Sequence, residues 1–354
     1  MIFSTRARRL AGLAAAPLTA AFVLAACSSA PPPAPVAPPP PPPVAVVPSV
    51  SLSPRVVEMA SAYRAYVDRA GTISPGFTGG GDVAQSLKLG AAYEPQSLLR
   101  GAIAYGAVVA LQDPAFVAGV RKFAGDPEQR RTVAYEIMKD PAYAVGFSGS
   151  ASAAGLVMGA LGADGQKLMT VGLSVKQAAY DVQHQAWSKG EVSGRDARLA
   201  LAKDLSTTPG RGETDMTARL QSAVLGGSQM SLTPVEAAPP YTSVVVHSLA
   251  VAALAALGYA DEGNLGQVMP ILAEPNSANC LNMSKLNLYQ CLAVSKPHYE
   301  DVFCLGQHIL MDTGRCLIRD AGGVEPVDPR AIKPQTGVTP VSTTEKVKSR
   351  PKKR

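Results

Sequence analysis

The sequence predicts an all-α protein: a multi-helix globular domain of short, Ala- and Gly-rich helices that ends in a disulfide-clamped helical hairpin. Three observations lead there. Aromatic residues make up only 5% of the 354-residue chain while glycine contributes 32 residues, which suits closely packed helices better than a sheet. Helix-start signals recur along the middle of the chain, most plainly as Asp-Pro pairs. Four cysteines fall in the last quarter, nearly mirrored about Pro297.

The amino terminus is read separately from the fold. Arg6, Arg8 and Arg9 precede an uncharged run from Leu10 to Ala26, the layout of a secretory signal. Pro17 interrupts the run, and Pro-rich sequence follows it without a basic stop, so a transmembrane helix is the weaker reading. The quartet Leu24-Ala25-Ala26-Cys27 resembles the lipobox of bacterial lipoproteins. That resemblance implies cleavage before Cys27, acyl chains such as palmitate on that cysteine, and anchoring to a membrane. By the family's sorting rule, Ser28 in place of an aspartate favours the outer membrane, with the body facing the periplasm.

Residues 27–53 are then expected to be a tether. Ala30 to Val50 is a proline tract, unbroken from Pro38 to Pro43, and such a run stands as polyproline II rather than joining a core. At about 3.1 Å per residue, positions 31–48 reach roughly 55 Å.

A helical body over 54–274 follows. Ser53-Pro54 supplies a cap and a first-turn proline, and Val56, Ala60, Tyr63 and Val67 recur at helical spacing. Residues 71–81 read as a loop, with a second helix after Asp82 and a third from Pro95 to Leu111. Asp113-Pro114, Asp126-Pro127 and Asp140-Pro141 should each open a short helix, the aspartate capping exposed amides and the proline taking the first helical position. Residues 141–163 carry no charge, and Ala151, Gly155 and Gly159 recur every fourth position. That spacing predicts a buried helix whose small residues admit close backbone contact; insertion into a membrane is the competing reading. Asp164 is expected to cap a long helix to Trp187, and Ser193 to Asp196 to form a capping box opening a helix to Leu205. Further helices are predicted over 215–225 and 244–257, the latter strongly apolar and central to the core.

Residues 275–321 hold Cys280, Cys291, Cys304 and Cys316. An even number of cysteines in an exported chain reads as two disulfides. Helices over 284–294 and 299–310, joined at Ser295-Lys296-Pro297, would bring Cys291 to Cys304 and Cys280 to Cys316; sequential pairing is the alternative. The arrangement resembles the twin Cys-x9-Cys hairpin in geometry only, since its gaps are ten and eleven residues. Loops of this size suggest about 3 to 4 kcal/mol per bridge in the chain-entropy account. A metal site with His298 or His308 is the rival, but Cys-x2-Cys spacing is absent.

Neither a Gly-x-Ser-x-Gly elbow, a His-Glu-x-x-His pair nor a phosphate-binding loop occurs. His247 reads as a satisfied core residue and His184 as a surface one. His298, with Glu300 and Asp301, is the single local cluster of base and carboxylates. The net charge of +6 does not describe the body: the signal is basic, and the tail contributes Lys346, Lys348, Arg350, Lys352, Lys353 and Arg354. The body between is slightly acidic, so no nucleic-acid partner is implied. The tail, in a Pro/Thr/Gly-rich segment over 322–354, is a candidate contact for an anionic surface such as lipopolysaccharide or cell-wall polymer. No cofactor, metal or catalytic residue is expected. The sequence therefore points to a non-enzymatic, membrane-anchored lipoprotein that binds or organises an envelope partner. The alternative is a cell-envelope hydrolase or transferase with an unrecognised site.

Overall fold

The computed structural model describes residues 47–227, 229–233 and 237–326. Among these residues the fold is all-α: fourteen α-helices, two 3-10 helices and one π-helix, with two isolated β-bridges and no strand. No single helix among them is long and apolar enough to cross a membrane.

Four of the first five helices follow their capping signals. In α1 (Pro54–Ala70) the Ser53 hydroxyl accepts from the Arg55 amide. Helix α2 (Gly80–Ala91) starts two residues before Asp82, whose carboxylate instead accepts from the Thr78 amide and hydroxyl, tying down the loop ahead of it. Glu94, Asp113 and Asp126 cap α3 (Pro95–Ala110), α4 (Pro114–Arg121) and α5 (Pro127–Lys139), each with proline in the first turn. The third Asp-Pro pair opens only a 3-10 helix (Pro141–Gly146).

Helix α6 (Ser150–Val182) corrects two expectations. Its 33 residues extend about 50 Å at 1.5 Å per residue, and they run straight through Asp164 instead of starting there. The helix begins at Gly149, whose φ of 84° and contact with the Phe116 backbone leave no room for a side chain. Asp164 is buried at mid-helix, where it accepts from the Tyr63 hydroxyl at 3.0 Å and pairs with Arg64. The small-residue contact is also displaced from the predicted positions. A Cβ on Gly159 would touch nothing, whereas one on Gly165 would stand 2.8 Å from the Gly314 carbonyl and one on Gly172 2.6 Å from Met311.

After a single turn, α7 (Ala186–Lys189), helix α8 (Arg195–Leu205) begins at Gly194 in the left-handed region with no side-chain cap, so the expected Ser193–Asp196 box does not form. Helix α9 (Thr214–Val224) lies on α1. The centre is α10 (Ser243–Leu257), nearly all of it buried against α3, where Gly106 admits the Ser248 hydroxyl that donates to Ile103 O and Val244 O. After α11 (Leu265–Ile271) comes the hairpin. Its first arm is α12 (Pro275–Val294) and its second a continuous run: α13 (His298–Cys304), a π-helix (Leu305–Met311) and α14 (Asp312–Asp320). The second arm is thus eleven residues longer than predicted. The bridges are Cys291–Cys304 and Cys280–Cys316, nested about Pro297, with Cα–Cα distances of 5.7 and 5.8 Å. Both arms contribute to the same hydrophobic core as the body, which extends from Leu52 to Ala321. The end of the tether joins it too: Arg121 donates to Pro48 O, and the Ser51 amide to Ala255 O.

Two alanine substitutions in α6 should therefore have opposite signs. Gly159→Ala is expected to stabilise by up to about 1 kcal/mol through helix propensity. Gly165→Ala should destabilise by about 1–3 kcal/mol, because α14 must move away. Urea unfolding of the two variants measures both.

Candidate functional site

The lipidation candidate Cys27 and the six basic tail residues lie outside the described residues. The four histidines are all described, and none is bonded to a hydroxyl or thiol. The His298 ring lies over Gly80, where any Cβ would collide with it, and 6.3 Å from Trp187. Its neighbouring acids are committed elsewhere: Asp301 is buried on Arg198 and the Ser295 hydroxyl, and Glu300 accepts from the Lys296 amide. His184 is on the surface, as read. His308 pairs through Nδ1 with Asp312 Oδ2 at 3.1 Å, and Asp312 also accepts from Arg315. No group of three or more His, Cys, Asp or Glu side chains among the described residues could hold a metal ion.

His247 is half-buried, not a core residue: it bonds to the Ile271 backbone, its Nδ1 has no partner, and burial lowers its pKa despite the nearby Glu274 carboxylate. Glu274, at the start of α12, and Asp320, at the end of α14, form a buried acid cluster beside it, in which Asp320 Oδ2 is unpartnered. Burial pushes the Asp320 carboxyl up to about 6; a Ser277 hydrogen bond and Arg319 oppose this, and Glu274 adds to it.

The best-formed opening lies elsewhere, between α1, the start of α3 and the loop at Pro209-Gly210. It is a slot of about 250 Å³. Met59, Ala62 and Ala92 supply its accessible carbon, while Tyr63, Tyr66 and Tyr93, each only 1–2% exposed, form a closed floor behind them. All three hydroxyls are turned away and satisfied: Tyr63 on Asp164, Tyr66 on Gly90 O at 3.3 Å, and Tyr93 with Thr313 Oγ1 at 2.8 Å. Burial raises the pKa of each phenol well above its ordinary value or, for Tyr93, to about 12. The phenols are therefore closed off and leave no donor to the slot.

Behind Tyr93 lies the buried Lys285, whose ammonium sits 3.4 Å from the ring centroid and donates to Ala91 O at 2.7 Å. Burial holds its pKa well below the ordinary lysine value. Ser61 clamps the near side of the loop by exchanging hydrogen bonds with the Glu213 backbone. At the mouth stand Arg55, Glu58, Glu94 and Arg100. Arg55 pairs with Glu262 at 3.0 Å, and Glu94 caps α3. Among the described residues, Glu58 on α1 and Arg100 on α3 have no side-chain hydrogen bond or ion pair. Of these residues the sequence reading used only Tyr63, as part of a core stripe. The available signal was Tyr63-x2-Tyr66, which sets two rings on adjacent turns of one face.

No protein-family model, curated protein or solved structure matches this chain. Its chemistry must be argued from the geometry itself.

The acid cluster yields a pH prediction. A carboxyl whose folded pKa is about 6, against an ordinary 3.8, costs stability as it ionises, so its penalty grows between about pH 4 and 6. The shift corresponds to about 3 kcal/mol at neutral pH. Asp320→Asn should therefore be about 1–3 kcal/mol more stable than the parent at pH 7.5 and equal to it near pH 4. Denaturant midpoints across that range test this, and a constant difference would refute it.

Proposed function

We propose that this chain is a lipid-anchored envelope protein whose helical body is a non-catalytic binding module, with the slot between α1 and α3 as its recognition site. The observation that carries the binding role is that an open apolar recess brings together two charged side chains from different helices, Glu58 and Arg100. An apolar recess with a few convergent polar groups is the usual form of a small-ligand site.

The anchoring half of the reading rests on the resemblance of Leu24–Cys27 to a lipobox and on the proline tract after it. A spacer of roughly 55 Å holds the body clear of the bilayer, and more than one acyl chain makes such attachment durable. Within this reading the envelope is the setting of the partner, protein or polymer. Lys346, Lys348, Arg350, Lys352, Lys353 and Arg354 add a salt-sensitive contact with an anionic surface.

Metabolic labelling with a palmitate analogue tests the anchor. The full chain should incorporate label and sediment with outer membranes, and Cys27→Ser should abolish both. Label retained in Cys27→Ser, or a parent chain found unlabelled and soluble, would reject the anchored reading.

A further inference from the structure

We infer that the slot binds a small zwitterion with an apolar side chain: a free amino acid or a dipeptide of aromatic or large aliphatic character. This deepens the binding role proposed above and rests on it.

Size comes first. About 250 Å³ lies below the roughly 300–1,000 Å³ of drug-sized pockets, so the occupant is a single side chain with a short polar head, not a folded partner or a long chain.

The interior chemistry comes second. The rings of Tyr63, Tyr66 and Tyr93 are fixed with their hydroxyls bonded on the far side. The T-shaped contact of Tyr66 and Tyr93, 4.7 Å between centroids, locks two of them against each other. They close the floor of the slot and expose almost none of their rings, so the carbon that a ligand meets is that of Met59, Ala62 and Ala92. Such a lining favours a neutral aromatic or branched side chain inside.

The mouth comes third. Of its four charges, Arg55 is held by Glu262 and Glu94 by the amides of Gln96 and Ser97. One acid, Glu58, and one base, Arg100, remain free, and they stand on different helices at the same opening. An anionic ligand would be drawn to Arg100 but repelled by Glu58, and a cationic ligand the reverse. Only a head bearing both charges engages both, with its carboxylate on the Arg100 guanidinium and its ammonium on the Glu58 carboxylate.

Calorimetric titration of the full Cys27→Ser chain with four probes tests this inference: phenylalanine, phenylalaninamide (cation only), N-acetylphenylalanine (anion only) and alanine. Phenylalanine should bind, and each of the other three should bind at least about tenfold more weakly, the equivalent of losing one charge pair or the buried ring. Arg100→Gln should weaken phenylalanine and N-acetylphenylalanine but leave the amide unchanged. Glu58→Gln should weaken phenylalanine and the amide but leave the acetylated probe unchanged. Both substitutions are at the solvent-facing mouth, so the fold should persist, and circular dichroism verifies it. Equal affinity for phenylalanine and its two blocked forms would overturn the zwitterion assignment. So would dependence on one mouth charge only, or no heat from phenylalanine at about 10 mM. Because the assay uses an unlipidated chain, its failure leaves the palmitate result standing, and the converse also holds.

Discussion

The contact on which the rest depends is Asp164 with Tyr63 and Arg64. A carboxylate in the middle of a long helix is a poor helix former and a costly group to bury. It persists here because α1 delivers two donors to it from adjacent positions, and Arg64 also reaches Asp68 at 2.8 Å. Removing one member of a buried pair typically costs about 3–5 kcal/mol, so this contact fixes the placement of α1 on α6. It also fixes what the Tyr63 ring does. With its hydroxyl held by Asp164, the ring is closed into the core behind the slot.

The second constraint is steric. Gly165 and Gly172 on α6 face Gly314 and Met311 across an interface with no room for another carbon, and Gly306 meets the Lys176 backbone in the same way. Such an approach trades side-chain packing for backbone contact, and it explains why so Ala- and Gly-rich a chain still builds a dense interior. The nested disulfides join the second arm to α12. The hairpin is therefore held by glycine contacts toward the body and by covalent bonds toward its own first arm.

Much of the fold was legible because caps and prolines are local signals. Ser53-Pro54, Glu94-Pro95 and the Asp-Pro pairs act within one turn, and the helices after them begin where those residues place them. The mirrored cysteines likewise specify their pairing once a turn is placed at Pro297. Failures came where a distant contact overrode a local signal. Asp164 has the chemistry of a cap, but Arg64, a hundred residues away, makes it an interior ion-pair partner. The Ala151-Gly155-Gly159 spacing is regular, yet the close approach occurs at Gly165 and Gly172, because the position of α14 decides it. The slot was nearly invisible for the same reason: Tyr66, Tyr93, Glu58 and Arg100 come from two helices and a loop, and nothing in a linear reading shows which phenols turn inward.

The arrangement of α6 bears on the order in which the chain can acquire its shape. The partners that cover one side of this helix, residues 298–320, are made more than a hundred residues after it. Until they emerge, an Ala-, Gly- and Leu-rich surface more than a hundred residues upstream stays bare. Contacts this remote in sequence form slowly and leave sticky intermediates. An early stop codon that removes only the hairpin would thus leave a translation product with an uncovered centre, prone to aggregation and ready prey for proteases.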